Sequence, residues 1–326
     1  MWKGDEKHMV SRLIDFHSHY CDPAWYTSAS TQLPAALTRA WPLLTDIEAQ
    51  LAMLDTAAIE TKVLSAPASM IAAPGQSLPH SMIERINDRF AELVAHYPGR
   101  LLGLATIDAF QGDHAAHEVT RAIKTLGLGG ICVDCAQGDR FLDVPEALPT
   151  FETAAALGVP VFVHPVSPVG LTERYAPLGH TGVLLARGTE NAVSLLALLR
   201  CGIFDTLPEL NIVFPMIGAS ALLFAGVADL EYERDEGWQG TRPGQARKQF
   251  FIDTMGFDSA ALRFAIDVLG PEHILLGSDW PIMPLTARQH IEATLATLAL
   301  NEEQQALISG GNTERLFARA TSKERT

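Results

Sequence analysis

Two histidines stand one residue apart after an apolar run near the start of the chain, in the segment RLIDFHSHYCDP at residues 12 to 23. Residues i and i+2 of an extended segment point to the same face, so the imidazoles of His17 and His19 project together. Paired imidazoles are suited to bind one metal ion. Because a lone H-x-H pair is common by chance, its meaning depends on the residues at the ends of the other predicted strands.

Polar residues of matching chemistry end two further apolar runs. His164 is the last residue of VPVFVH at 159 to 164, and Asp279 follows HILLGS at 273 to 278. Three imidazoles and one carboxylate form a ligand set that zinc, manganese or iron(II) accepts, with a position left open for an activated water. Taken singly, His164 could be a core histidine and Asp279 could cap a turn ahead of Pro281. Their coincidence with the first pair at three strand ends predicts a metal site.

Eight short apolar runs alternate with longer amphipathic stretches along the chain. A repeated order of strand and helix indicates right-handed crossovers and a parallel sheet, and eight such units predict a single (β/α)8 TIM barrel of the α/β class. A doubly wound open sheet is the alternative, but the first strand is not followed by the glycine-rich loop that binds dinucleotides in that fold. No linker or low-complexity tract divides the sequence, which predicts one domain over residues 1–326. The predicted strands are 12–16, 62–66, 101–107, 129–133, 159–164, 211–215, 249–253 and 273–278.

The composition is that of an acidic globular protein. The chain has 326 residues, 48% of them hydrophobic, and a formal net charge of -14. Proteins that bind nucleic acids neutralise phosphates with clustered Lys and Arg, so the 24 scattered basic residues argue against nucleic acid and anionic membranes as partners. A small-molecule substrate and a cytoplasmic location are expected, because no apolar run reaches about 20 residues and residues 1–10, expected to be mobile, lack a signal-peptide core.

The motifs resemble the amidohydrolase superfamily, and within it the branch that contains aminocarboxymuconate-semialdehyde decarboxylase and γ-resorcylate decarboxylase. IDFHSH resembles its first-strand D-x-H-x-H motif, FVHPVSPVG its fifth-strand histidine and ILLGSDWP its eighth-strand aspartate. The resemblance covers nearly the whole chain and implies a distorted TIM barrel. It also implies that His17, His19, His164 and Asp279 bind one divalent ion, first of all zinc, with manganese or iron as alternatives. Relatives of this kind are often dimers, so a homodimer is expected.

The predicted sixth strand departs from this resemblance. In the family it usually ends in a histidine close to the metal that acts as an acid or base, whereas NIVFPMIGAS places Met216 there. Methionine cannot carry a proton. Hydrolysis does not require this histidine, because a metal lowers the pKa of bound water to about 7 and Asp279 can take the water's proton. The leading expectation is therefore a metal-dependent hydrolase of an amide, lactone or similar carbonyl in a small carboxylated or ring substrate.

Two alternatives to hydrolysis stay open. A non-oxidative decarboxylase, a carboxy-lyase of an aromatic or dienoic acid, follows from the resemblance, with Asp279 protonating the ring. A catalytically silent barrel that binds a ligand follows from Met216, which on the plainest interpretation packs as a flexible apolar side chain in the barrel.

Substrate-binding candidates lie mainly in two predicted loops. Residues 164–192 are long for a connection between a strand and its helix, and long barrel loops often cover the active site. Arg187 in this segment could hold a substrate carboxylate in a bidentate pair, or could be a surface arginine. His180 could replace the missing histidine, or could lie on the loop surface. The other candidates are an aromatic wall for a planar ring after the first strand and the sixth-strand position: Trp25, Tyr26 and Met216.

Overall fold

The computed structural model describes residues 12–26, 35–73, 75–218, 220–246 and 249–322. Residues 1–10, for which the sequence predicts a mobile terminus, lie outside these ranges. The single domain over residues 1–326 extends beyond them and stays a prediction.

Eight parallel strands form a barrel in which neighbours in the sheet are also neighbours in the sequence. The (β/α)8 prediction is confirmed, and each predicted strand is present, although the last is shortened from 273–278 to Ile274–Leu275. Amides of Phe16 and His19 donate to the carbonyls of Leu276 and Trp280, both at 2.8 Å, and so connect the last strand to the first. The barrel strands are β1 (Ile14–His19), β2 (Thr61–Ser65), β3 (Leu101–Thr106), β4 (Gly130–Asp134), β7 (Pro160–His164), β8 (Asn211–Phe214), β9 (Phe250–Asp253) and β10 (Ile274–Leu275); an antiparallel hairpin of β5 (Ala136–Gln137) and β6 (Arg140–Phe141) follows β4.

Helices cover the outside of the barrel with their apolar faces. In the helix Asp113–Lys124, the buried residues Ala115, Val119 and Ala122 recur at the spacing of one helical face, and the basic residues of its last turn are less buried. The helices are α1 (Ala35–Leu44), α2 (Ile47–Ala57), α3 (His80–His96), α4 (Asp113–Lys124), α5 (Leu148–Leu157), α6 (Leu171–Tyr175), α7 (His180–Arg200), α8 (Ile203–Thr206), α9 (Ser220–Tyr232), α10 (Pro243–Ala246), α11 (Ser259–Leu269), α12 (Arg288–Ala296), α13 (Glu302–Ala306) and α14 (Asn312–Ser322).

Alternate strand residues divide the core into two layers. Phe162 of β7 belongs to a small cluster inside the barrel, whereas its neighbours Val161 and Val163 pack in the larger cluster between strands and helices. This alternation is the period of two that a strand imposes on its side chains. Since the strands are buried on both faces, they read as nearly continuous apolar runs, which is why the sequence locates them well.

Helix α7 is long and apolar enough to cross a membrane by length and composition, a property that the sequence analysis did not single out. Half of its most apolar window is buried inside the protein. A core helix of a globular protein has the same properties, so this single helix carries little weight for a membrane location.

Candidate metal centre and active-site cavity

A shift in the first strand turns both of its histidines toward the barrel interior. The register of β1 against β2 slips in the middle of the strand, as at a β-bulge. The rings of Phe16 and His17 both contact Phe162, at 5.5 and 4.7 Å between ring centroids, so two consecutive residues face the same interior. The sequence predicts that this strand ends at Phe16, before the histidines. In the structure it continues through His19.

The three predicted histidines meet at the mouth of the barrel. His164 is the last residue of β7, and one ring nitrogen of each of His17, His19 and His164 lies within 4.8 Å of the others. All three side chains are buried. The carboxyl ends of parallel barrel strands converge at one face, which explains why residues so far apart in the sequence come together.

Asp279 joins this group from the segment after β10. It has a left-handed backbone conformation (φ 61°), which residues other than glycine seldom adopt, and its amide donates to the His17 carbonyl at 2.8 Å. Its Oδ1 atom lies 3.1 Å from His19 Nε2 and 3.5 Å from His17 Nε2. Gly277 permits this approach, because a Cβ atom there would lie 2.8 Å from the Cβ atoms of both Asp253 and His17.

Asp279 and the two histidines of β1 have the spacing of ligands around one divalent ion. Ligand atoms about 2.1 Å from a common ion lie roughly 3 to 3.5 Å apart in tetrahedral or octahedral geometry. The two contacts of Asp279, at 3.1 and 3.5 Å, match that spacing. The Nε2 atom of His17 is buried and has no hydrogen-bond partner among the described residues. Because buried polar atoms are nearly always paired, this nitrogen fits a site built for a cation.

Asp253, the last residue of β9, orients His17 from behind. Its Oδ2 lies 2.6 Å from His17 Nδ1, and its Oδ1 accepts the backbone amides of Met216 at 2.7 Å and Met255 at 3.0 Å. A carboxylate in this place keeps the proton on Nδ1 and leaves the Nε2 lone pair free for a metal. The sequence analysis missed Asp253, although it ends a predicted strand, where polar residues face the mouth.

Carboxylates and imidazoles shift one another's proton affinity in this cluster. Burial lowers the pKa of His17, but the charges of Asp253 and Asp279 outweigh burial and leave that pKa above its ordinary value. Burial holds the pKa of His19 and of His164 below that value. Burial raises the pKa of Asp279, yet the His19 hydrogen bond and the neighbouring imidazoles bring it below its usual range. Asp279 is therefore ionised at neutral pH, as a metal ligand must be.

A cavity of about 820 Å³ opens above the histidine cluster. One face of α7 lines it, since His180, Val183, Leu184 and Arg187 follow the i, i+3, i+4, i+7 spacing of a single helical face. The Nη2 atom of Arg187 lies 3.5 Å from His164 Nε2, which places the guanidinium beside the predicted metal ligands. Cavities of this size hold small organic molecules.

Comparison with known families agrees with this arrangement. A sequence model described as Amidohydrolase matches residues 14–319. The chain belongs to the amidohydrolase family. The resemblance of its strand-end motifs to that superfamily is therefore confirmed over most of the chain.

Several relatives of this amidohydrolase are decarboxylases by name. The γ-resorcylate decarboxylase of a Polaromonas species is 29% identical over 302 residues, which cover 85% of this chain and 90% of that protein. The crystal structure of 5-carboxyvanillate decarboxylase from Sphingomonas paucimobilis superposes with a TM-score of 0.80 at 26% identity, covering 94% of this chain and 99% of that one. A dihydroxybenzoic acid decarboxylase from a Polaromonas species, solved with manganese and the inhibitor 2-nitroresorcinol, has a TM-score of 0.78 at 25% identity and covers 94% and 97% of the two chains.

The predicted active-site loop after the fifth strand is wrong, because this segment of the amidohydrolase is mostly helical. His180 and Arg187 lie in the 21-residue helix α7, which α6 precedes. The glycines of HTGVLLARGT lower its intrinsic helix propensity. However, Gly182 packs where a Cβ atom would lie 2.1 Å from the Tyr175 carbonyl oxygen, and the side-chain amide of Asn191 donates to a β7 carbonyl at 3.1 Å. Tertiary packing therefore decides this helix.

Three other predicted substrate contacts do not line the described cavity. Trp25 is 4% exposed and packs against Phe90 at 5.7 Å between ring centroids. The Tyr26 hydroxyl donates to the Met70 carbonyl at 3.1 Å. The Met216 side chain packs against the core between strands and helices. Each of these side chains has apolar or backbone partners and is absent from the cavity lining, so the sixth-strand position of this amidohydrolase supplies no side chain to the cavity.

Asp134 is a second cavity residue that the sequence analysis missed. It ends β4, and its carboxylate accepts the Ser69 amide at 2.8 Å and the Ser69 hydroxyl at 2.6 Å. Burial raises the pKa of Asp134 to about 7. Its Oδ1 lies 4.0 Å from His164 Nδ1. The predicted strand ended one residue earlier, at Val133, so Asp134 did not stand out as a strand-end residue that faces the mouth.

Proposed function

We propose that this amidohydrolase is a divalent-metal-dependent, non-oxidative decarboxylase of a hydroxylated aromatic carboxylate. The chemistry is taken from relatives whose names specify it, among them the γ-resorcylate decarboxylase that matches 85% of the chain. These relatives do not support hydrolysis, the leading expectation from the sequence. They favour the carboxy-lyase alternative.

One observation in the structure supports the proposal above others. A guanidinium and a cluster of metal-ligand type face the same cavity, with Arg187 Nη2 at 3.5 Å from His164 Nε2. An aromatic carboxylate needs a receptor for its anionic group and an apolar space for its ring. Arg187 supplies the first as a planar donor that can pair with both carboxylate oxygens. Side chains such as Met70, Val166 and Ile282 supply the second.

The residues suited to hold the metal are His17, His19, His164 and Asp279. We expect manganese first, because the related dihydroxybenzoic acid decarboxylase was solved with it. Zinc, the first choice from the sequence, is not confirmed. When bound, a divalent ion supplies positive charge that stabilises negative charge on substrate oxygens.

The protein's own groups divide the remaining work. Arg187 binds the carboxylate and fixes its orientation, and the apolar wall keeps water from the ring. Loss of carbon dioxide requires that the ring carbon receive a proton as its bond to the carboxyl carbon breaks. The pKa of Asp279 lies below its usual range, so Asp279 holds no proton at neutral pH and serves as a ligand in the resting enzyme. The predicted role of Asp279 as a proton carrier therefore requires another group to supply the proton.

The test uses the full chain loaded with manganese and incubated with 2,6-dihydroxybenzoate and 5-carboxyvanillate. We expect release of carbon dioxide together with the decarboxylated phenol. His164→Ala should lose bound manganese and activity together, because it removes a ligand. His117→Gln, on the exposed side of α4, is the matched control and should retain both.

The outcomes separate the three functions. A manganese-replete wild type that releases no carbon dioxide from any hydroxybenzoate would contradict the decarboxylase. Turnover of lactones or amides under the same conditions would restore the hydrolase. Failure of both, with manganese still bound, would leave the silent barrel.

The remaining expectations about partners stay predictions. We propose a homodimer without nucleic-acid or membrane partners and with a small-molecule substrate, located in the cytoplasm. Sedimentation of the purified chain at several concentrations tests the dimer directly.

A further inference from the structure

His180 has an unusual position in the cavity wall. It is the first residue of α7 and lies on the same helical face as Arg187, two turns away. Its Nε2 atom is shielded from solvent and has no hydrogen-bond partner among the described residues. Buried ring nitrogens are nearly always paired, so this nitrogen is placed to pair with a molecule that occupies the cavity.

Two other ionisable groups of the cavity are less suited to exchange a proton with a bound molecule. Both oxygens of Asp134 accept hydrogen bonds from Ser69. Arg187 stays protonated and cannot exchange its proton near neutral pH. Burial and the charge of Asp139 raise the pKa of Glu190, which lies three residues beyond Arg187 at the end of this helical face farther from His180. His180 is thus the one described cavity residue outside the predicted ligand set that has an unpaired ring nitrogen.

We propose that His180 is a proton-shuttling catalytic residue in this enzyme and takes the place of the histidine that the sixth strand lacks. This inference rests on the proposed function, with a substrate whose hydroxyl lies ortho to its carboxylate. Neutral His180 accepts the proton of that hydroxyl. The oxygen's electron pair enters the ring, and the carboxyl-bearing carbon takes the proton from the imidazolium. The bond to the carboxyl carbon then breaks, carbon dioxide leaves, and the bonding electrons restore the ring.

The step is balanced within the cavity. His180 returns to its neutral form, and the product leaves as a phenolate that takes a proton from water. The hydroxyl oxygen and the carboxyl-bearing carbon are on adjacent ring positions, so one imidazole nitrogen serves both. No oxidant, reductant or further reactant is required.

The charges around His180 favour the neutral imidazole that this role requires. Burial and the charges of Arg39 on α1 and Arg187 on α7 hold the His180 pKa below its ordinary value, while Asp279 after β10 opposes them. A neutral imidazole accepts a proton, whereas an imidazolium cannot. Activity should therefore fall on the acid side as His180 becomes protonated.

The decisive variant is His180→Gln in the manganese-loaded full chain. Glutamine keeps much of the size and hydrogen-bonding capacity but neither takes up nor releases a proton near neutral pH. We expect kcat to fall about 100-fold or more, the usual effect of losing a general acid or base, while KM changes little. At manganese concentrations that keep the metal site occupied over the whole pH range, the acid limb of the kcat/KM profile should disappear. His117→Gln is again the matched control. A His180→Gln enzyme with unchanged kcat, or with lower kcat and the same acid limb, would overturn the proposal.

A binding experiment separates failure of His180 from failure of the proposed function. The probe is 2-nitroresorcinol, the inhibitor of the related decarboxylase, because nitrophenols change colour when their hydroxyl ionises. Wild-type protein should bind the ionised form at a pH where the free probe is mostly neutral. His180→Gln should bind the neutral form, because glutamine can accept a hydrogen bond from the hydroxyl but cannot take its proton. If the wild type shows no decarboxylation but this difference persists, the proposed function fails and the hydroxyl site at His180 stands. If both proteins bind the ionised probe equally, His180 is not the acceptor.

Discussion

Replacing Asp253 with asparagine should release the metal without changing any predicted ligand. In the wild type, Oδ1 of Asp253 accepts two backbone amides, from Met216 and Met255, while Oδ2 faces His17 Nδ1 at 2.6 Å. Asparagine has one oxygen, and turning its NH₂ group toward the two amides would leave both unpaired at about 1 to 3 kcal/mol each. The oxygen therefore stays with the amides, and the NH₂ group faces His17.

That orientation reverses the tautomer of the ligand histidine. An NH₂ group opposite Nδ1 requires Nδ1 to accept, so the His17 proton moves to Nε2, the atom that faces Asp279 at 3.5 Å. A protonated nitrogen cannot bind a metal. Changes behind a ligand histidine typically reduce metal affinity 10- to 100-fold. Here we expect the upper end of that range, about 2.8 kcal/mol, because the two amides prevent the side chain from turning over.

Equilibrium dialysis against a series of free manganese concentrations, followed by elemental analysis, measures the effect directly. Asp258→Asn is the matched control, since Asp258 is exposed and caps α11 through the Ala261 amide, a role that asparagine fills equally well. Thermal unfolding of metal-free protein checks that the barrel forms. Wild-type manganese affinity in a folded Asp253→Asn protein would refute the reasoning, because His17 would then bind without a carboxylate behind it.

Four further predictions test the geometry around the ion and the substrate. Gly277→Ala should reduce manganese affinity at least about tenfold and destabilise the fold by about 1 to 3 kcal/mol in chemical denaturation, since its Cβ atom would lie 2.8 Å from those of Asp253 and His17. Manganese affinity, measured by dialysis at several pH values, should begin to fall while the pH is still above the ordinary histidine pKa, because the raised pKa of His17 lets protons compete there. In metal-free protein the same shift adds stability that is complete below the ordinary histidine pKa and is lost as pH rises through the folded-state pKa, which thermal unfolding at a series of pH values should show. Arg187→Met should raise KM for an aromatic carboxylate about 10- to 100-fold in steady-state assays, with manganese content unchanged.

The sequence predicts the barrel well because its strands are buried on both faces. Each one is a nearly unbroken apolar run, and such runs stand out from the amphipathic helices between them. The ends are less certain, and the first strand shows why. The apolar run at 12–16 stops before the two histidines, whereas β1 continues through them, with a bulge that turns Phe16 and His17 toward the same interior. A bulge leaves no periodic signal in one sequence.

The sequence was sufficient to predict the histidine cluster. It was less informative about the residues that support the cluster. Imidazoles at strand ends are rare enough to attract attention, whereas an aspartate at the same place is common. Asp253 ended a predicted strand and was missed for that reason. Asp134 was missed because it lies one residue beyond the predicted end of its strand. The face of α7 was missed for another reason. Its cavity residues follow helical spacing, but Gly182 lowers the helix propensity that would have revealed it, and only the close approach to Tyr175 explains that glycine.

The two kinds of element carry different parts of the chemistry. Strand ends are fixed by the hydrogen bonds of the barrel, as the Asp279 amide on the His17 carbonyl shows, and they suit ligands whose positions must not vary. Helix α7 is held to β7 by Asn191 and presents side chains to the cavity at intervals of one turn. A proton carrier on that helix does not need a place in the barrel ring. For this reason the methionine at position 216 is compatible with the proposed catalysis. Substitutions at cavity positions of α7 should alter which substrate is accepted and leave the bound metal unchanged.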